Sequence, residues 1–264
     1  MTPEPVWRPS PGVVAGAAIT RYAERLGRAG DSYEQLWRWS VSDLDGFWSS
    51  IVSEFDLDLG PEPGPVLADR SMPGAVWYPG ATVNYAAHVF GGRDPDDVAI
   101  RHASEARDGL GTWTWGRLER ETARIAAGLR SAGVGPGDRV CAYLPNIPET
   151  VAAFLACASL GAVWSSAAPE FGARSVVDRF AQIEPTVFLA IDGYRYGGRA
   201  FDRSEVVAGV ASQIGGGVRT VRFGYLDGTG WEDGFLGPPD AELTFARVGF
   251  AAPLWVLYSS GTTG

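Results

Sequence analysis

Between residues 98 and 223, short apolar runs alternate with stretches of helical periodicity, and this alternation restricts the fold more than any other feature of the chain. Strands are expected over 139–144, 162–166, 186–191 and 219–223, and helices over 149–160, 173–183 and 204–214. The strands are apolar almost throughout rather than at every second residue. Strands of that kind are buried on both faces, which requires βαβ crossovers and a parallel sheet. Ahead of them, Leu118, Thr122, Ile125 and Leu129 mark one face of a helix, with Arg117, Arg120, Glu121 and Arg124 on its solvated side. Gly133 and the run Gly135-Pro136-Gly137 stop that helix. Segments 98–102 and 112–115 flank Asp108-Gly109, which predicts a hairpin turning at that pair. The expected fold class is α/β.

The first 55 residues read differently. Ile19, Tyr22 and Leu26 share one helical face, and Leu44, Phe47, Trp48, Ile51 and Phe55 share another. Ser42, just ahead of Asp43 and Asp45, is the expected N-cap of the second helix. Trp37, Trp39 and Trp48 are expected as core anchors. Residues 56–80 hold five Pro and four Gly, the composition of an extended connector. The expected organisation is a helical, Trp-rich extension with its connector over 1–80, then an α/β domain over 81–264.

A net charge of −9 argues against nucleic acid or an anionic membrane as the main partner. The longest apolar stretch, 151–164, is broken by Ser159 and Gly161 and is too short to span a bilayer. The N-terminus has no basic region followed by an apolar core, so no secretory signal is expected. Two cysteines, Cys141 and Cys157, make no disulfide framework and point to a reducing cytoplasm. Both fit core positions. All 22 basic residues are Arg, so nothing within these residues can serve as a Schiff-base lysine or as the lysine of a phosphate loop. Two histidines, His88 and His102, are too few for most metal sites.

One motif carries chemistry. Ser259, Ser260, Gly261, Thr262, Thr263 and Gly264 follow an apolar run, 254–258, that reads as a buried strand. The two glycines permit tight turns and close approach of N–H groups to an anion. The four hydroxyls add donors for phosphate oxygens. From composition alone, a phosphate-binding loop and a polar tail stand as equal readings.

The stretch FAAPLWVLYSSGTTG (250–264) resembles the phosphate-binding loop of the adenylate-forming superfamily. Three other stretches narrow the resemblance to the acetyl- and acetoacetyl-CoA synthetases: YEQLWRWSVSDLDGFWSSIVSEF (33–55), VWYPGATVNYAAHVF (76–90) and GDRVCAYLPNIPETVAAFLACASLGAVWSSAAPEFG (137–172). FAQIEPTVFLAIDGYRYGGRAFDR (180–203), with VWRPSP near the start, looks most like the acetoacetyl group. The resemblance covers nearly the whole chain.

It implies the parallel-sheet βαβ subdomain of an adenylate-forming enzyme. It also implies a two-step ligation: a carboxylate attacks the α-phosphate of ATP, held as its Mg2+ complex, and the thiol of coenzyme A then displaces AMP. Acetoacetate is the favoured acid, with acetate or propionate as alternatives. On the resemblance, residues 259–264 would hold the triphosphate. Arg195 and Arg199, with the turn at 169–172, would lie near the CoA nucleotide. The family runs to more than twice this length, and its acid pocket and catalytic Lys fall beyond residue 264. The 264 residues alone are therefore expected to be inactive as a ligase, and a non-catalytic binding or assembly module is the reading from another class. A dinucleotide-binding oxidoreductase is disfavoured, because Leu144-Pro145-Asn146 rather than G-x-G-x-x-G follows the strand over 139–144.

Overall fold

The computed structural model describes residues 6–258. The chain divides into two compact units, Met1–Thr82 and Val83–Gly264.

The first unit is helical, with α1 (Pro11–Ala15), α2 (Ala18–Arg25), α3 (Tyr33–Ser42) and α4 (Leu44–Glu54). The start of α3 is fixed by a capping box in which the Ser32 hydroxyl and the Gln35 side chain exchange bonds with each other's backbone N–H. Helix α4 begins one residue later than expected. Its cap is Asp43, whose carboxylate accepts from Gly46 N–H, while Ser42 is still the last residue of α3. Asp43 serves both helices, since it also accepts from the indole N–H of Trp39 at 3.1 Å. Helices α2 and α4 are tied by the Arg25–Glu54 pair and by a hydrogen bond between the Tyr22 and Ser50 hydroxyls. Of the three tryptophans expected as anchors, only Trp39 is partly buried; Trp37 and Trp48 are 51% and 40% exposed. The aromatics pack edge to face along a strip, Trp39–Phe47–Trp48–Trp77, rather than around a closed core. The Pro/Gly-rich connector forms a short antiparallel pair, β1 (Leu67–Asp69) with β2 (Val76–Trp77), followed by β3 (Thr82–Val83).

The second unit opens with α5 (Tyr85–Phe90), the hairpin β4 (Val98–Ser104) and β5 (Arg107–Thr114), and α6 (Trp115–Ser131). Then follow β6 (Arg139–Tyr143), α7 (Pro148–Ser159), β7 (Val163–Ala167), α8 (Ala173–Phe180), β8 (Val187–Ile191), β9 (Gly193–Tyr196), β10 (Arg199–Asp202), α9 (Ser204–Ala211), β11 (Arg219–Gly224), β12 (Gly230–Trp231) and β13 (Val248–Gly249). The main sheet has the order β12-β11-β8-β6-β7. Its four long strands are parallel, and β12 pairs antiparallel at one edge. The expected parallel sheet is thus present. From β6 the chain moves to β7 on one side, then crosses to β8 and β11 on the other. Right-handed crossovers place α7 on one face and α8 and α9 on the opposite one, and α7 packs on α5 and α6 while α8 packs on α9. Every residue of β8 is buried, and Tyr143, Trp164, Phe180, Phe188 and Leu189 are among the largest fully buried side chains. Cys141 and Cys157 are buried free thiols, and burial pushes both above their ordinary range. Asn84 caps α5 and sends its amide N–H groups to the carbonyls of Ala158, Ser159 and Ala246, so a buried polar side chain closes the end of α7.

Two expectations in this unit need correction. The hairpin forms, but it turns at Glu105-Ala106, where Ser104 pairs with Arg107. Asp108 and Gly109 lie inside β5, at a shift in register where Gly109 takes φ +71°. The Asp-Gly pair supplies a bulge rather than the turn. The run 254–258 is not a buried strand. It meets β7 through a single parallel bridge, Trp164 to Trp255, and Trp255 and Leu257 stay 42% and 76% exposed. No helix of the described residues is long and apolar enough to cross a membrane.

Phe188 sits at the centre of the sheet with no exposed surface. Phe188→Ala is expected to cost about 3–5 kcal/mol by urea unfolding, whereas Arg174→Ala, at a side chain 95% exposed, should stay within about 0.5 kcal/mol of the parent.

Candidate functional site

In a parallel sheet, neighbouring strands whose connections leave in opposite directions open a crevice at their carboxyl ends. Here those neighbours are β6, which leads to β7, and β8, which leads to β11. Three segments leave the strand ends at this edge: residues 144–147 after β6, residues 168–172 after β7, and the β9–β10 hairpin after β8.

The turn after β7 is held from β6. The Tyr143 hydroxyl donates to the carbonyls of Pro169 and Phe171, the latter at 2.7 Å. Burial pushes the Tyr143 phenol above its usual range, so it stays protonated and remains a donor. Beside this turn lies an apolar cavity of about 320 Å³, lined by Leu144, Pro145, Phe154, Trp164, Ala168 and Trp255. The run 254–258 forms part of its wall and heads toward the carboxyl end of β7. The Ser165 hydroxyl donates to Val256 and the Tyr258 hydroxyl to the carbonyl of Arg179.

The hairpin after β8 is fixed at its base by Asp192, which is 7% exposed. One carboxylate oxygen accepts from Tyr225 and Leu226 N–H at 2.7 and 2.9 Å, and the other from Asp227 N–H at 2.9 Å. Its backbone N–H donates to Phe223, and its carbonyl accepts from Arg203 N–H at 2.7 Å. Gly193 follows because a Cβ there would lie 2.5 Å from the Phe201 carbonyl oxygen. Strands β9 and β10 then join through Gly197-Gly198, with φ +59° and +74°. Positive φ at both central residues is the two-residue hairpin turn that suits the strand twist.

Arg195 and Arg199 both stand on this hairpin and are exposed. Arg195 pairs with Ala200 and Arg199 with Tyr196. Directly opposed residues share a face and neighbours along a strand alternate, so the two arginines project from opposite faces. On the Arg199 face, Tyr194 stacks on Phe201 at 5.1 Å, and the guanidiniums of Arg199 and Arg203 lie 5.8 and 5.2 Å from Phe201 and Tyr194. The structure brings the arginines to one hairpin but does not aim them at one point. Ser259, Ser260, Gly261, Thr262, Thr263 and Gly264 lie outside the described residues. Among the described residues no group of three or more His, Cys, Asp or Glu could hold a metal ion. The sequence reading passed over Asp192 and the Gly197-Gly198 turn, although a Gly-Gly pair between Tyr-Arg-Tyr and Arg-Ala-Phe is a hairpin signal.

Residues 88–264 match the AMP-binding enzyme family, and residues 33–89 match the Acetyl-coenzyme A synthetase N-terminus. The chain belongs to the AMP-binding enzyme family. Its first unit carries most of the N-terminal match, and the site at the sheet edge falls within the AMP-binding match. Among its relatives, the acetoacetyl-coenzyme A synthetase of Rhizobium meliloti (strain 1021) is 34% identical over 98% of this chain and 42% of its own length. The acetoacetyl-CoA synthetase of Danio rerio is 33% identical over 88% and 37%. A solved structure, the acetoacetyl-CoA synthetase from Streptomyces lividans, superposes with TM-score 0.91 at 45% identity over 99% of this chain and 42% of that one. The chain therefore spans about two fifths of the length of these relatives.

At the edge of this site, Asp227 is held at about 2, first by its bond from Arg222 and then by its bonds from Thr229. A lowered carboxylate favours the folded form above the ordinary range and loses that advantage as pH falls through about 2. The Asp227 carboxyl should titrate at about 2 by NMR, and in Arg222→Ala it should rise toward the unperturbed value of about 3.9.

Proposed function

We propose that these residues form the N-terminal part of an ATP-dependent acid–thiol ligase that activates acetoacetate and transfers it to coenzyme A. What carries this reading is the likeness along nearly the whole chain to the Streptomyces synthetase, at an identity well above that of a shared fold alone. In the first step a carboxylate oxygen of the acid bonds to the α-phosphorus of ATP and pyrophosphate leaves. In the second, the thiol of coenzyme A gives up its proton, its sulfur bonds to the acyl carbon and AMP leaves with the bonding pair. An anion must attack a polyanion in the first step, so the site must neutralise and orient phosphate oxygens. Ser259, Ser260, Gly261, Thr262, Thr263 and Gly264 are the residues we assign to that task, with backbone N–H and hydroxyl donors. ATP would enter as its Mg2+ complex.

We assign Arg195 and Arg199 to the anionic nucleotide part of coenzyme A. Their placement on opposite faces of one hairpin supports contact with different groups of an extended polyanion, rather than a joint grip on one phosphate. The buried, unpaired thiols of Cys141 and Cys157 support a reducing compartment such as the cytoplasm.

In the complete protein, acetoacetate should support ATP–pyrophosphate exchange with a kcat/KM at least about tenfold above acetate and propionate, a difference of ~1.4 kcal/mol in the barrier. Exchange favouring acetate or propionate would reject the acid assignment, and no exchange with any of the three would reject the ligase. The 264 residues alone should form no thioester from acetoacetate, ATP and coenzyme A. Arg195→Ala and Arg199→Ala should each raise the KM for coenzyme A by about tenfold, the size of a lost charge-assisted bond. Their effects should multiply in the double variant, as for independent contacts.

A further inference from the structure

The tip of the β9–β10 hairpin is held by a carboxylate from elsewhere in the unit. Glu105, the first residue of the turn between β4 and β5, accepts from Gly197 N–H at 2.9 Å with one oxygen and from Gly198 N–H at 2.7 Å with the other. Two successive N–H groups in a turn with positive φ form a small concavity that binds anions. Here the anion is the chain's own. These bonds, with Arg195 nearby, hold the Glu105 carboxyl below its ordinary range.

The carboxylate is itself aimed. On one side of it, Ser104 shares a hydrogen bond with the hydroxyl of Tyr225, a buried residue just after β11. On the other, Arg107 makes two bonds to Glu149 in the first turn of α7, at 2.7 and 3.2 Å, and its guanidinium lies 4.8 Å from the centre of the Tyr225 ring. Glu105 therefore projects from a turn fastened on both flanks to the α/β core. The hairpin carrying Arg195 and Arg199 is clamped at its base by Asp192 and at its tip by Glu105.

We propose that Glu105 is a positioning residue for the thiol-transfer step: by accepting from both N–H groups of the Gly197-Gly198 turn it pins the hairpin tip, so that Arg195 and Arg199 are presented to the nucleotide of coenzyme A. This rests on the assignment of the two arginines above. Glu105 is solvent-exposed, so its effect lies in geometry at the hairpin rather than in global stability. Neutralising it leaves one glycine N–H facing an amide N–H and frees the tip to move.

The test uses the complete protein with Glu105→Gln, Glu105→Asp and the two arginine variants. Glu105→Gln should raise the KM for coenzyme A by about tenfold. It should leave acetoacetate-dependent ATP–pyrophosphate exchange, and kcat at saturating coenzyme A, within about twofold of the parent. Glu105→Asp keeps the charge on a shorter stem and should fall between. Pantetheine, which has the thiol without the nucleotide, should be used equally well by parent and variant. A loss of folding or of the adenylation step would lower exchange and pantetheine use together and would overturn the proposal. So would an unchanged KM for coenzyme A in Glu105→Gln when Arg195→Ala raises it. A lowered KM in Glu105→Gln would show that the carboxylate competes with the ligand, and would overturn it too. If neither arginine variant changes the KM, the arginine assignment fails first and the proposal falls with it.

Discussion

A parallel sheet cannot leave a face to water, because each strand must be followed by a crossover that returns over one face before the next strand begins. That constraint organises the second unit. Strands β6, β7, β8 and β11 run the same way, so their carboxyl ends lie along one edge, and the segments that leave them meet there. The chain reverses its direction of travel between β6 and β8, and the crevice opens at that reversal. The floor is rigid because β8 is buried along its whole length. The loops above can therefore vary in sequence and still be placed by the same core.

The parts of this fold that were legible in the sequence are those set by burial. Strands fully buried in a parallel sheet are apolar at every position, and residues such as Val187, Phe188, Leu189, Ala190 and Ile191 show it directly. The misread parts are those where a local signal had two structural uses. Asp108-Gly109 suits a turn, but a glycine with positive φ also suits a bulge, and the partners of Ser104 and Arg107 decided between them. Ser42 and Asp43 are both good caps, and only Asp43 can also reach the Trp39 indole. Trp37 and Trp48 carried the apolar signal of core residues but stand on faces that the described residues leave open. The roles of Asp192 and Glu105 were not legible, because each depends on N–H groups that folding brings from more than thirty and ninety residues away.

Carboxylates bound to backbone N–H groups give this region its electrostatic character. Asp192 takes three such bonds and Glu105 two. An acidic side chain satisfied by amides does not need a cation, so the arginines of the hairpin are not consumed in neutralising it. Arg222 is the exception. It lies against Asp227 and at 3.5 Å from Asp192, at the end of the hairpin farther from the Gly-Gly turn. A chain with a net charge of −9 in this way presents exposed positive charge on the hairpin at the sheet edge.

The exclusive use of arginine matters at the same edge. A guanidinium is planar, so it can stack on a ring while its N–H groups remain in the plane to donate. Arg107 does both, lying over Tyr225 while pairing with Glu149. Arg203 lies over Tyr194 and donates to its hydroxyl through Nη2. Arg179 lies 5.4 Å from the Phe171 ring and 5.8 Å from the Tyr258 ring, and its carbonyl accepts from the Tyr258 hydroxyl. An ammonium is a compact point charge and could not make the flat contact and the forked one together. Arg179 thus joins the turn after β7 to the run that leads into Ser259. Two segments at the same edge of the parallel sheet are fastened to each other through Arg179 on α8, by its guanidinium over the two rings and by its main-chain carbonyl.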